Sequence, residues 1–398
     1  MVQPASGTLG ADSPGARHGA GTDAPSVTRR AELWRRIGCA LPLIQAPMAG
    51  VQGTALALAV SRADGLGSLP AALLSPEALQ AALAELQTGL RQGPAPRPYN
   101  LNFFCHPPPG DCTAEEAAWR AALAPFYDEF GVDPSAASAG GARAPFSATL
   151  CDLIEPFRPP VLSFHFGLPA APLLQRAKAW GAVVLASATT VDEGRWLQDH
   201  GVDAVIAQGL EAGGHRGHFL SDDLSRQQGL SSLLPALLQA VQVPVIAAGG
   251  IGTADDVAAV MRLGAAGVQA GTAYLLSDEA TTSPLHRQAL MSDAARHTAL
   301  TRLFTGRPAR GIVNRLMRAL GPLNPVAPPF PQAAAALAPL RAAAEARGLP
   351  DFTPLWSGQH TSACRAAPAA DITEALARGL SGPSAAAATP SRPPGGPP

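Results

Sequence analysis

The sequence predicts an α/β fold: a (β/α)8 TIM barrel with a small helical C-terminal cap. Three observations carry this reading. Eight short apolar segments recur along the chain, each followed by a turn signal and then a helix-like stretch. The alternation extends over roughly 250 residues, the usual size of such a barrel. Polar residues gather at or just beyond the segment ends, at Asn102, His165, Gln208, Gly249–Gly250 and Thr272, and barrel sites are built on that face. An open doubly wound sheet shares the alternation and is the second choice; the count of eight and the polar ends favour the barrel.

The expected strands are Leu41–Met48, Gly65–Leu69, Tyr99–Phe104, Pro160–His165, Ala182–Ala186, Val202–Ala207, Val243–Ala248 and Gly267–Gly271. Each is short and apolar, as strands buried on both faces of a parallel sheet are. Between them lie amphipathic stretches: Ser75–Leu90, Thr113–Phe130, Leu173–Gly181, Val191–Gly201 and Thr253–Leu263. The last opens with Thr253-x-x-Asp256, a capping-box spacing. Ala139–Pro145 reads as a loop in the long connection between the third and fourth strands. Beyond the eighth strand, Ser283–Ala294, Gln332–Arg347 and Asp371–Leu380 read as helices. They are separated by the run FTGRPARGIVNRLMRALG and by the proline-dense connector Pro322–Pro331. The resulting division is a disordered tail at 1–28, a barrel at 29–275, a helical cap at 276–380 and a disordered tail at 381–398.

Composition narrows the function classes. Hydrophobic residues make up 47% and charged residues 15%, which favours a well-buried globular protein over a disordered one. The net charge of −1 gives no electrostatic support for non-specific binding to nucleic acid or an anionic membrane. No run of about 18 apolar residues suggests a membrane span, and the first 28 residues lack the apolar core of a signal peptide. The five cysteines are widely spaced, with no CxxC pair. Neither a zinc site nor a disulfide framework is indicated, and a cytoplasmic protein with reduced thiols is expected.

The chemistry concentrates in a few loops. Asp203–Gly217 begins as an apolar strand and opens into Gln208, Gly209, Glu211, Gly213, Gly214, His215, Arg216 and Gly217. The glycines let backbone approach a ligand closely, and His215 titrates nearest neutrality. It is the expected catalytic residue. Two further glycine loops, Ile246–Gly252 and Gly267–Thr272, follow the seventh and eighth strands, where barrels bind phosphate through backbone N–H groups. Amides at Gln208 and Asn102 suit the polar edge of a heteroaromatic ring such as a flavin. Ala46, Pro47 and Met48 after the first strand would run under the ring face, though Met48 reads equally as core. His165, flanked by aromatics, is either a pocket histidine or a satisfied core imidazole. Arg307 and Arg310 either bind an anion or hold the cap. Walker, GxSxG, HExxH and Rossmann patterns are absent.

The motifs QAPMAG (Gln45–Gly50), SFHFG (Ser163–Gly167), AQGLEAGGHRG (Ala207–Gly217), AAGGI (Ala247–Ile251) and QAGTAYL (Gln269–Leu275) resemble class I nitronate monooxygenases. FTGRPARG and Trp356–Gln359 agree, and the resemblance runs from about Leu33 to about Leu380. It implies a barrel holding FMN that oxidises alkyl nitronates, such as propionate 3-nitronate, with O2 to an aldehyde or ketone plus nitrite. Asn102, Gln208, Gly213, Gly250, Gln269, Ala270, Gly271 and Thr272 match cofactor-binding positions. Ala46, Pro47, Met48, Gly214 and Gly249 complete the expected cofactor set. His215 matches the catalytic histidine and His165 a substrate-binding one. A cap tyrosine of the family falls at Phe330–Pro331–Gln332, so its phenolic hydroxyl is missing here. The expected partners are the nitronate and O2, with no metal, nucleic acid or membrane, in a monomer or homodimer. Two other readings stay open: a flavin reductase acting on a quinone or enoyl thioester with NAD(P)H, and a non-flavin lyase or isomerase of a phosphorylated metabolite.

Overall fold

Parallel strands form the core of the computed structural model, which describes residues 24–91, 95–134 and 143–380. In chain order they are β1 (Leu43–Gln45), β2 (Gly67–Pro70), β3 (Tyr99–Phe104), β4 (Val161–His165), β5 (Val183–Ala188) and β6 (Ala204–Gln208). A two-residue strand, β7 (Gly214–His215), lies outside this sheet; β8 (Val245–Ala248) and β9 (Gly267–Ala270) complete it. Hydrogen-bonded neighbours run β1-β9-β8-β6-β5-β4-β3-β2. Leu66, one residue before β2, bridges back to Ile44 of β1, with Leu66 N–H on the Leu43 carbonyl at 2.8 Å and Gln45 N–H on the Leu66 carbonyl at 3.0 Å. The sheet is therefore a (β/α)8 barrel. Each barrel strand falls on a predicted one, and β3 has the predicted bounds.

Alternation along the strands sorts side chains into two layers. Ile44, Leu185, Ile206 and Ile246 point inward with Val161 and Val183. Leu43, Leu101, Leu162, Val184, Val205 and Val268 point outward to the helices. An unpredicted helix, α1 (Ala24–Ile37), plugs the N-terminal end of the barrel. It places Leu33, Trp34 and Ile37 against the inward layer, and Trp34 Nε1 donates to the Ala266 carbonyl at 2.6 Å. Its first residues fall in the stretch read as tail. The rest of that tail, the C-terminal tail and most of the predicted 139–145 loop lie outside the described residues.

The helical ring comprises α2 (Thr54–Arg62), α3 (Pro76–Leu90), a divergent α4 (Thr113–Phe130), α5 (Ala148–Ile154), α6 (Ala171–Ala179), α7 (Val191–Asp199), α8 (Leu230–Ala240) and α9 (Ala254–Arg262). Capping is local and explicit. Thr253 Oγ1 accepts from Asp256 N–H while the Asp256 carboxylate accepts from Thr253 N–H. After β9 come α10 (Pro284–Leu290), β10 (Thr298–Thr301), β11 (Ala309–Ile312), α11 (Arg315–Leu320), α12 (Ala333–Ala346) and α13 (Ala369–Ala377).

Two helices change places relative to the sequence reading. α4 leaves the ring and joins the cap, where Trp119, Leu123, Tyr127 and Phe130 pack against Leu337 and Leu340 of α12. Trp119 Nε1 and the Tyr127 hydroxyl donate to the Ala333 and Ala336 carbonyls at 3.0 and 2.7 Å. α13, assigned to the cap from sequence, packs on the barrel beside α2 and α9, with Ile372 and Leu376 in the main core. It is the eighth ring helix, so the cap is an insertion between β9 and α13. That cap also contains strands: β10 pairs antiparallel with β11, and β11 pairs with β7. Gly214 and His215 of the glycine-rich loop are thereby stitched to Arg310 and Ala309.

Candidate active site

At the C-terminal ends of the barrel strands a cavity opens with about 1080 Å3 of empty space, its solvent mouth included. That accommodates a ligand of mononucleotide size. Of the expected cofactor residues, Ala46, Met48, Gln208, Gly213, Gly214, Gly249, Gly250, Gln269, Ala270, Gly271 and Thr272 line it, together with His215. Pro47, Asn102 and His165 line a smaller polar cavity beneath, which shares Gln208, Gly213, His215 and Gln269 with the first. The predicted residues, scattered over more than two hundred positions, thus meet at one place. Met48 does both things weighed for it, facing the cavity while packing on the core.

The loop after β6 is held by its own side chains. Gln208 Nε2 donates to the His215 carbonyl at 2.9 Å, and Gln208 Oε1 accepts from Gly217 N–H at 2.8 Å. His165 Nε2 donates to the same His215 carbonyl at 3.1 Å, and its Nδ1 accepts from the Ser187 hydroxyl at 3.0 Å. A carbonyl can only accept, which fixes the His165 tautomer. Both His165 nitrogens are engaged by protein, and burial draws its pKa down to about 3. A Cβ on Gly217 would stand 2.7 Å from the His165 ring, so only glycine fits there.

The His215 ring is placed by the cap. Its Nε2 lies 2.9 Å from Thr305 Oγ1, and Phe330, Trp356, Phe166 and Phe104 surround it with ring centroids 5.5, 5.6, 6.0 and 6.1 Å away. Burial holds its pKa well below the usual histidine value, reinforced by the positive charges of Arg143 and Arg307. The imidazole is therefore neutral at pH 7. Thr305 Oγ1 also reaches the Arg307 carbonyl at 3.4 Å. By turning its hydroxyl from one partner to the other, Thr305 lets the ring carry its single proton on either nitrogen. His215 Nδ1 hydrogen-bonds to none of the described residues.

The glycine loops offer backbone donors. Gly249 and Gly250 sit at φ +115° and +70°, a backbone region that favours glycine. The N–H groups just before α9 are engaged, since Asp256 accepts from Gly252 and Thr253 at 3.0 and 2.9 Å, and no residue of α9 lines the cavity. The N–H groups of Gly250, Ile251, Gly271 and Thr272 have no acceptor among the described residues, and all four residues line the cavity. An anion there would meet these loop donors rather than the helix end. Gln269 contributes a further open group: its Oε1 is buried with no partner, a vacancy that asks for a donor from a ligand.

The arginines divide by role. Arg216 is fully buried and donates to the Gln208 and Gly209 carbonyls and to Gln227 Oε1 at 2.8, 2.7 and 2.8 Å. Burial lowers its pKa to about 9. It ties down the end of β6 and faces no ligand. Arg310 Nε donates to the Leu210 carbonyl at 2.8 Å. Arg307 donates to the His218 carbonyl and stacks on Phe166 at 4.2 Å. Arg307 and Arg310 both hold the cap to the loop, one of the two roles weighed for them. Glu211 accepts from Leu230 N–H at 2.9 Å and so caps α8.

Several lining residues escaped the sequence reading: Phe104, Arg143, Ser357 and His360, with Thr305 behind His215. Gly358 meets the loop so closely that a Cβ on Gly213 would lie 2.5 Å from its nitrogen. Only the Trp356–Gln359 run gave any sign of this segment. Phe330, the residue at the missing phenol, packs edge-on against His215 and presents only hydrocarbon.

The family model described as nitronate monooxygenase matches residues 30–379. A nitronate monooxygenase of Pseudomonas aeruginosa is 39% identical over 350 residues, covering 87% of this chain and 98% of its own. One from Paraburkholderia phytofirmans is 38% identical, covering 89% and 96%. The solved structure of a nitroalkane oxidase from Streptomyces ansochromogenes superposes with a TM-score of 0.77 at 37% identity, covering 86% of this chain and 96% of that one. The chain belongs to the nitronate monooxygenase family.

Proposed function

We propose that the protein is an FMN-dependent monooxygenase that converts alkyl nitronates and O2 to a carbonyl compound plus nitrite. The observation that carries this reading is a neutral histidine with one free ring nitrogen on the wall of a cavity ringed by unpaired backbone donors. The Gly250, Ile251, Gly271 and Thr272 N–H groups would hold the phosphate of FMN. The Gln269 and Asn102 amides would meet the polar edge of its ring system, and Ala46 and Met48 would lie against it. When bound, the flavin supplies the electron-transfer chemistry that no side chain has.

His215 does the remaining work on the substrate. A nitronate is already an anion, so no strong base is needed to form it. With its proton on Nδ1, the ring donates a hydrogen bond to a nitro oxygen; with its proton on Nε2, it offers a lone pair to a neutral nitroalkane. His165 and Gln208 act as positioning residues, because both grip the His215 carbonyl. Losing nitrite from a nitronate leaves a carbon that needs one oxygen atom, so two nitronates and one O2 balance two carbonyls and two nitrites, and carbonyl and nitrite form one for one. Anaerobic mixing separates this reading from the reductase: ethyl nitronate is expected to bleach the flavin bands, and NADH is not. Bleaching by NADH alone would replace the proposal.

A further inference from the structure

Among the cations around the site, Arg216, Arg307 and Arg310 are engaged by carbonyl oxygens, and Arg341 pairs with Glu345 at 2.7 Å. Arg143 is different. It lines the candidate active-site cavity and also a second, neighbouring cavity of about 1650 Å3, mouth included; among the described residues the two share only Leu73 and Arg143. Arg143 is half-buried at this neck. The segment that carries it is anchored three residues on, by Phe146 N–H on the Phe104 carbonyl at 2.8 Å. Its guanidinium lies 5.8 Å from the centre of the Phe330 ring, and that ring is 5.5 Å from His215. The charged side chain felt at Arg143 is Arg341, a like charge. No carboxylate among the described residues pairs with it, and the preceding stretch 135–142, SAASAGGA, contains no acid.

An unneutralised guanidinium one ring away from the reacting histidine is poised for an anion. We propose that Arg143 forms a carboxylate subsite: it binds the second negative charge of a nitronate whose short carbon chain ends in a carboxylate, and it sets a preference for such dianions over plain alkyl nitronates. A planar guanidinium matches a carboxylate with two parallel hydrogen bonds. The partly desolvated neck strengthens that attraction over its value in water. Phe330 has no hydroxyl to offer, and Arg143 beside it is a cation that no carboxylate among the described residues neutralises. The role rests on the nitronate reading above.

The test compares propionate 3-nitronate with 1-propyl nitronate, which lacks the carboxylate, in wild type, Arg143→Gln and Arg143→Lys. For Arg143→Gln, kcat/KM with the carboxylated substrate is expected to fall roughly tenfold to thirtyfold, mainly through KM. The loss with 1-propyl nitronate is expected to be smaller by about a factor of ten, and Arg143→Lys is expected to lie between. Equal losses on both substrates, or none on the carboxylated one, overturn the subsite. If wild type turns over neither substrate, the nitronate reading fails on its own. The subsite is then decided by titrating Trp356 fluorescence with succinate. A dissociation constant at least ten times higher in Arg143→Gln upholds the subsite, and an unchanged one removes it.

Discussion

His215→Asn is expected to give a folded, yellow protein whose kcat/KM for nitronates is about 10²–10⁴-fold below wild type, the usual contribution of a proton-transferring side chain. The flavin should stay because His215 is not among the proposed holding groups: the open donors belong to Gly250, Ile251, Gly271 and Thr272. The loop should stay because its anchors grip the His215 backbone carbonyl, not the ring. Activity within threefold of wild type would remove His215 from the chemistry. The pH dependence follows from the same environment. Burial holds the imidazole pKa well below 6.5, so the neutral form persists as pH falls from 8 to 6. Wild-type kcat/KM is expected to show no acid limb near 6.5, where an ordinary histidine would produce one.

Arg216→Met is expected to destabilise the protein by about 3 kcal/mol and to weaken flavin retention. The substitution leaves two carbonyls and one amide oxygen without donors in a fully buried place. Each orphaned group costs about 1–3 kcal/mol, and relieving the buried charge of its own desolvation offsets part of that sum. The melting temperature should fall by roughly 3–5 °C. Flavin retention should suffer because Gln208 and Gly213 leave β6 through the loop that Arg216 ties down. A melting temperature within 1 °C of wild type would mean that the clamp is dispensable.

The barrel was legible because its strands are short apolar runs with glycine or amide residues at one end, as in Ala204–Gln208 and Val245–Ala248. Parallel strands buried on both faces leave that signature whatever surrounds them. The candidate site was legible where glycines and a histidine gather in loops at strand ends, at Gly213–His215 and at Gly249–Gly250. What stayed hidden depends on distant packing. β7 is two residues long and exists because β11, almost a hundred residues later, pairs with it. Thr305 reaches His215 only because the cap folds over the barrel mouth. Arg143 lies in a connection with no periodicity, and nothing local marks it as facing a cavity. α4 and α13 were misplaced for a related reason. An amphipathic helix announces an apolar face but not the surface that receives it.

The most direct test of the central claim is oxygen uptake by the wild-type holoenzyme with propionate 3-nitronate, with nitrite and carbonyl product measured in the same vessel. The account predicts uptake that requires both enzyme and nitronate, with nitrite and carbonyl appearing one for one. Flavin-loaded protein that consumes no oxygen and releases no nitrite under these conditions would contradict it.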